Sequence, residues 1–258
     1  MTQNGFVGGQ LGYKLLCRLG REATREQDPC AGEAYTGTSK LESLFGEDVW
    51  DSVQGRTVLD FGCGTGREAI EIAQHDAGLV VGVDIRQKLL DVATAEARAA
   101  GVADRCSFGT HTYGKFDVIF SVDGFEHYQD PGKVLRQFHS LLLPGGRVYI
   151  AFGPPWLHPL GGHLFSVFPW AHLIFTEEAL LRWRADFKSD GARHFHEVEG
   201  GLNQMTLSRF RQLVAESGFD VESLEPMPIK RFRRLFNPLT QEFLTSVVRC
   251  ALVRRETA

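Results

Sequence analysis

The chain has 258 residues, 43% of them hydrophobic and 23% charged, with a formal net charge of -4. Nineteen Phe and four Trp spread along it exclude a disordered chain, and 28 Gly without a G-X-Y period exclude a collagenous one. The acidic balance argues against a dedicated nucleic-acid binder. The cysteines, Cys17, Cys30, Cys63, Cys106 and Cys250, form no C-x-x-C pair, which argues against a disulfide framework or a thiolate zinc site and points to a reducing cytosol. Met1 to Gly20 lack a basic then apolar leader, and no apolar run reaches the ~18 residues of a membrane span, so a cytoplasmic location is expected.

Residues 1–54 hold no clear strand. Helical patterns at Leu11–Leu19 and Leu41–Val53 predict an N-terminal helical cap. Thr57–Asp60 then reads as a short buried strand, followed by a Gly-rich turn and a helix from Arg67 to His75. Leu79–Asp84 is a second strand, and Arg86–Ala100 is a helix that Gly101 stops. Arg105–Phe108 and Phe116–Phe120 are the third and fourth strands. Apolar residues between Pro131 and Pro144 recur at helical spacing, and Arg147–Ala151 is a fifth strand. Nearly all-apolar strands alternating with helices indicate a parallel sheet covered on both faces.

The alternation stops after Ala151. Residues 152–205 are rich in Pro, Gly, His and aromatics, with one helix capped by Thr176 and begun by Glu177 and Glu178. A helix over Thr206–Ser217 and strands at Val221–Leu224 and Ser246–Val253 complete the chain. Lys230-Arg231-Phe232-Arg233-Arg234 is its one basic cluster and reads as a solvated loop between the last two strands.

The informative stretch is Asp60-Phe61-Gly62-Cys63-Gly64-Thr65-Gly66, between a strand and a helix. Its glycines permit positive φ and close approach of a ligand to the backbone, and the helix start favours an anionic group. The spacing is G-x-G-x-G with an acid two residues ahead, not the G-x-G-x-x-G of a dinucleotide fold. Asp60 would repel a pyrophosphate and attract an ammonium or sulfonium. Asp84 ends the next strand, where a carboxylate accepts bonds from ribose hydroxyls.

With these segments in order, the chain resembles the class I S-adenosylmethionine-dependent methyltransferases. The resemblance rests on VLDFGCGTG (58–66), VVGVDI (80–85), FDVIFSVDGFEH (116–127) with DP at 130–131, and LLLPGGRVYI (141–150). It implies a Rossmann-like α/β fold: a seven-stranded, mostly parallel sheet with helices on both faces and the last strand antiparallel. Residues 55–258 would form that domain, with 152–205 as an inserted cover. It implies S-adenosylmethionine as cofactor and S-adenosylhomocysteine as product. Asp60, Phe61, Gly62, Cys63, Gly64 and Gly66 would hold its methionine part. Asp84 would bind the ribose, Ile85 would pack on the adenine, Thr110 and His111 would meet the adenine edge, and Ser121 would end the fourth strand beside the sulfonium. Many members carry an acid where Gly109-Thr110-His111 stands, so adenine recognition here would fall to Thr110 and backbone groups.

Methyl transfer from a sulfonium needs the nucleophile, methyl and sulfur held in line, with a base only where the nucleophile arrives protonated. His127 is the candidate base, with Glu126 and Asp123 beside it. The Asp123, Glu126, His127 spacing is similar to that of ubiquinone-biosynthesis O-methyltransferases, where an acid, an acid and a His hold a divalent metal. The reading adopted assigns no metal ligand and keeps a hard cation on these three residues as the alternative. A zinc site on His158, His163 and His172 lacks a ligand pattern. The aromatics of 152–205, from Trp156 to Phe195, would wall a pocket for a small, hydrophobic organic acceptor or else form a satellite core. Tyr13, Tyr35 and Lys40 would fold over the cofactor. Two alternatives stand beside this reading: methylation of RNA or protein, with the 230–234 cluster tracking phosphates, and a non-catalytic cofactor-binding regulator.

Overall fold

The computed structural model describes residues 5–20 and 38–255; Cys30 and Tyr35 lie outside them. Five strands, β1 (Thr57–Phe61), β2 (Leu79–Val83), β3 (Cys106–Gly109), β4 (Phe116–Val122) and β5 (Leu142–Phe152), pair in parallel. The last strand, β7 (Thr245–Arg254), is antiparallel to β5 and lies between it and β6 (Phe219–Pro228), giving the order β3-β2-β1-β4-β5-β7-β6. This is the expected seven-stranded sheet with its last strand reversed.

The strand sequences divide the core. Val58, Val118, Phe120 and Tyr149 point to one face, while their neighbours Leu59, Ile119, Val148 and Ile150 point to the other. On the first face lie α2 (Lys40–Phe45), with Leu41 and Leu44, and α3 (Arg67–Gln74), with Ala69, Ile72 and Ala73. A further helix, α4 (Gln87–Ala99), contributes Ala97 to this face. On the second lie α5 (Pro131–Leu141), through Leu135 and Phe138, and α8 (Leu207–Ala215), through Leu207, Phe210 and Val214. Helix α5 begins as its sequence dictates: the Asp130 carboxylate accepts from Lys133 N at 2.8 Å and Pro131 fills the first turn.

A third core lies off the sheet. Leu16 of α1 (Gly9–Leu19) packs with Trp156, Phe165, Phe175, Trp183 and Phe195 of the 152–205 segment. Val7 bridges to Phe175, and Gly12 sits so close to α7 (Glu177–Arg184) that a Cβ there would stand 3.2 Å from Ala179 Cβ. The N-terminal helix and the inserted segment therefore share one hydrophobic unit, which also holds the four-residue α6 (Ala171–Ile174). Most of the inserted rings build this satellite core; of those named from the sequence, His163 and Phe165 reach the large cavity described below.

Three boundaries differ from the sequence reading. The helix expected over Leu41–Val53 breaks at Gly46, whose φ of 86° ends α2 before a separate 3-10 turn at Glu47–Val49. Strand β5 starts earlier, at Leu142, because Phe116 pairs with Leu142 while Val118 pairs with Arg147, leaving Pro144, Gly145 and Gly146 in a bulge. Strand β6 runs on through Pro226 to Pro228, which an edge strand tolerates. The small α9 (Gln241–Leu244) precedes β7.

Phe125 is fully buried after β4, with ring centroids 5.2 Å from Phe210, 5.6 Å from Tyr128 and 6.0 Å from Phe152. It joins the β4 loop, β5 and α8. Phe125→Ala is expected to lower unfolding stability by about 3–5 kcal/mol, read from urea denaturation.

Candidate functional site

A cavity of about 2230 Å³ opens at the carboxyl ends of the parallel strands. Each strand delivers residues to it in turn: Phe61 and Gly62 after β1, Asp84 and Ile85 after β2, Thr110 and His111 after β3. Asp123, Glu126 and His127 follow β4, and Gly153 follows β5. This is where open α/β sheets place ligands. Six of the predicted cofactor residues thus line one wall, and all three catalytic candidates line it too. Asp60, Cys63, Gly64, Gly66 and Ser121 are not part of that wall.

The glycine loop is pinned from β2. Gly62 N and Cys63 N donate to the Val83 carbonyl at 2.8 and 2.9 Å, and Gly64 N donates to Asp84 Oδ2 at 3.1 Å. Gly66 starts α3 with φ of 76°, and a Cβ there would meet Ala93 at 2.7 Å and Phe108 at 2.8 Å, so no other residue fits without displacing them. Cys63 is buried beneath the loop, which pushes its thiol well above the ordinary range. Asp84 also accepts from Arg86, through Nε at 3.1 Å, Nη2 at 3.3 Å and backbone N at 2.9 Å. Burial alone would raise its carboxyl; the bonds from Arg86 and Gly64 overcome this and hold it below the usual value. Beyond β2, Ile85 is 91% exposed and Tyr113 is 88% exposed, and both face the cavity. Thr110 Oγ1 and His111 Nδ1 lie 2.9 Å apart.

Asp60 is 3% exposed, and its Oδ2 has no hydrogen-bond partner among the described residues. Burial, reinforced by Glu68, pushes its carboxyl well above the ordinary value, against the opposing charge of Lys40. Lys40, from α2, pairs with Asp123 and lies 3.6 Å from Glu68. Asp123 holds a φ of 51° after β4, a conformation non-glycine residues seldom adopt. Of the three residues expected over the cofactor, Lys40 reaches the site. Tyr13 instead donates to Asp186 at 2.9 Å and carries Arg182 over its ring.

Glu126 is 4% exposed; its Oε1 accepts from Gly153 N at 3.2 Å and its Oε2 has no partner among the described residues. Burial pushes this carboxyl up to about 7, with Asp123 adding to the shift and His127 opposing it. His127 Nδ1 lies 2.7 Å from the Gly201 carbonyl, so it carries the proton and Nε2 holds the lone pair of the neutral ring. The His163 ring stands 5.4 Å away. Tyr128 crosses beneath, donating to the Phe61 carbonyl at 3.0 Å and lying 2.9 Å from Ser121 Oγ.

The hard-cation set of Asp123, Glu126 and His127 is not assembled, because Asp123 is turned to Lys40. Glu126, His127 and His163 do converge, with one potential ligand atom each within 4.8 Å of one another. One carboxylate with raised proton affinity and two imidazoles are a poor match to a hard divalent ion. His158 and His172 stay apart from this group. Burial lowers both to about 4, and His172 is fixed between Ser166 Oγ at 2.9 Å and the Trp156 carbonyl at 2.7 Å. Tyr128, Arg86, Glu68 and Tyr113 were not singled out from the sequence, and only Tyr128, next to the Glu-His pair, had a positional signal.

A family model described as a methyltransferase domain matches residues 38–224. Methyltransferase GfsG of Streptomyces halstedii is 33% identical over 125 residues, 46% of this chain and 44% of that protein, so the match spans less than half of that relative. Ubiquinone biosynthesis O-methyltransferase of Coxiella burnetii is 32% identical over 181 residues, 61% of this chain and 74% of that protein. Among solved structures, magnesium protoporphyrin IX methyltransferase (ChlM) of Synechocystis PCC 6803, with bound SAH, is similar at a TM-score of 0.52 and 21% identity. That match covers 83% of this chain and 81% of that one, and it shows the fold.

The raised proton affinity of Glu126 sets a stability test. The folded chain keeps this proton between the ordinary value of 4.5 and about 7, whereas the unfolded chain loses it. Stability from this group is therefore present at low pH and falls as pH rises through that window. Glu126→Gln is expected to remove about 3 kcal/mol of that decline, measured as the difference in unfolding free energy between about pH 4.5 and about pH 8.

Proposed function

This chain belongs to the class I S-adenosylmethionine-dependent methyltransferases, and we propose that it methylates a hydroxyl of a small, largely apolar organic acceptor. S-adenosylmethionine, when bound, supplies an electrophilic methyl carbon on a positively charged sulfur. The residues present fit such a group. A buried carboxyl oxygen of Asp60 lacks a partner among the described residues, and a cation brought beside it would favour release of the proton that burial keeps on this acid. Asp84 closes β2 at the cavity and accepts the ribose hydroxyls once Arg86, whose side chain is 57% exposed, swings aside. Ile85 and Tyr113 offer apolar surface to the adenine, and Thr110 and His111 meet its edge. Gly62 presents bare backbone to the methionine part. Cys63, Gly64, Gly66 and Ser121 act from behind the wall, shaping the loop and fixing Tyr128.

The observation that carries the catalytic reading is His127, which faces the same cavity as Asp84 with its Nδ1 proton committed to Gly201. With the cofactor bound as methyl donor, His127 Nε2 would take the proton of the acceptor hydroxyl as that oxygen is methylated. Glu126, one of whose carboxyl oxygens comes within 4.8 Å of a His127 ring nitrogen, helps to position the imidazole. Leu164, Phe165, Phe187, Val198 and Leu202 line the cavity and exclude water from the transfer, which supports an apolar acceptor. The Coxiella relative, named for O-methylation, supports oxygen as the accepting atom.

Two variants test the reading. Asp84→Ala is expected to weaken binding of S-adenosylhomocysteine by roughly 30- to 100-fold in calorimetry, from loss of hydrogen bonds to a charged group; unchanged affinity rejects the ribose role. His127→Ala is expected to cut methyl transfer to phenolic and enolic acceptors by about 10²- to 10⁴-fold while leaving cofactor affinity unchanged. Equal turnover removes His127 as the base.

A further inference from the structure

Between β6 and β7 the chain makes a closed loop, from Ile229, whose N–H donates to the Leu244 carbonyl at 2.9 Å, back to Leu244. The loop is held from within: Asn237 N donates to Thr240 Oγ1 at 3.0 Å and Leu239 N to Asn237 Oδ1 at 2.9 Å. Neither its 3-10 turn, Lys230–Leu235, nor α9 buries a single residue. It is ordered without a core, yet it carries large apolar side chains into solvent. Leu239 is 89% exposed, Leu235 60%, Phe243 44% and Phe232 38%. Contiguous exposed apolar groups mark an interaction surface.

The same loop concentrates positive charge in an acidic chain. Lys230, Arg231, Arg233 and Arg234 surround a hollow of about 520 Å³, and none makes an ion pair or side-chain hydrogen bond with the described residues. The loop's one acid, Glu242, is engaged elsewhere, accepting from Leu207 N at 3.2 Å and Ser208 N at 2.6 Å at the start of α8. Lys230 and Arg233 also line the large cavity, so the loop forms part of its mouth.

We propose that this loop docks the protein on an anionic lipid surface, with the cations on the headgroups and the apolar side chains between acyl chains, so that the cavity mouth faces the bilayer. Unpaired Lys and Arg beside exposed Leu and Phe match such an interface on both counts. A nucleic-acid backbone would satisfy the cations, but Leu235 and Leu239 would have nothing to contact on it. A free phosphate would fill the hollow and leave all four apolar side chains in water. Attachment would be peripheral, since no helix among the described residues is long and apolar enough to cross a membrane. The docking inference stands on the loop; delivery of a lipophilic acceptor from the bilayer rests on the function proposed above.

The test is co-sedimentation of the full chain with vesicles of phosphatidylcholine alone or mixed in equal parts with phosphatidylglycerol. Binding is expected to the mixed vesicles and not to phosphatidylcholine, and to weaken steeply with salt. At roughly fivefold per cation, Arg231→Gln with Arg234→Gln is expected to weaken binding about 25-fold. Leu235→Ser with Leu239→Ser is expected to weaken it at low salt too, which attraction between charges alone would not produce. None of these four residues lines the large cavity, so S-adenosylhomocysteine affinity is expected to match the parent chain and confirm folding. Absence of binding to mixed vesicles, equal binding to both vesicle types, or capture on polyuridylate with Leu235→Ser and Leu239→Ser binding as the parent does would each overturn the inference. None of these results depends on whether a methyl group is transferred.

Discussion

The carboxylate of Asp84 is the joint between two strands that would otherwise end in independent loops. From β1 it receives the N–H of Gly64; from its own chain it receives the guanidinium and backbone N–H of Arg86. A loop with glycines at 62, 64 and 66 in the left-handed region has little intrinsic stiffness. The bonds to Asp84 and to the Val83 carbonyl supply that stiffness from outside. Burying a carboxylate opposes this arrangement, and the cationic partner offsets the cost. The glycine loop is thereby held in shape before any ligand arrives, by the Gly64 bond to Asp84 and the bonds to Val83, which remain when the Arg86 side chain turns away. This limits the ordering entropy that binding would otherwise demand.

Charge burial continues around the cavity with a different balance. Asp60 and Glu126 are sequestered with incomplete hydrogen bonding, so both favour the protonated form. Lys40, reaching in from α2, supplies positive charge to Asp123 and Glu68. Glu126 also has a mechanical part. Its Oε1 takes the Gly153 N–H after β5 and its backbone carbonyl takes Asn203 N at 3.0 Å. The Asn203 amide in turn donates to the Phe125 and Tyr128 carbonyls at 2.7 and 2.8 Å. One buried acid and one amide thus fasten the loop after β4 to both the sheet and the inserted segment, which positions His127.

The parallel strands and their helices were legible because each is a local apolar run with its own stop signal. The cavity-facing residues Asp84, Ile85, Thr110 and His111 were legible because position at a strand end dictates exposure to the site. What failed to show was contact between distant segments. Asp123, Glu126 and His127 are neighbours in sequence and suggest one cluster, yet the positive φ at Asp123 accompanies a side chain turned to Lys40, while His163 arrives from the insertion. Likewise the rings of 152–205 suit a pocket wall and a core equally well by composition. Leu16 from α1 packs among them, and nothing in that stretch of sequence announces it. Tyr128 escaped notice for a related reason: its value lies in spanning Phe61 and Ser121, a relation no periodicity encodes.

The reversed strand has a topological consequence for the site. Because β7 is antiparallel to both β5 and β6, β6 runs in the same direction as the five parallel strands. Its end at Pro228 therefore lies at the carboxyl edge of the sheet, and so must the connection to β7. A connection at the opposite edge would be remote from the cavity, whatever its sequence. Here any residue added between β6 and β7 is placed beside the ligand entrance, and Ile229, Lys230, Arg233 and Phe236 line it for that reason. The scaffold of this cavity wall is set by β1 to β4 and tolerates little change, since glycine φ values and a buried acid constrain it. The β6–β7 connection carries no such constraint, burying none of its helical residues. Selectivity toward what approaches the cavity can therefore vary in this loop without disturbing the chemistry behind it.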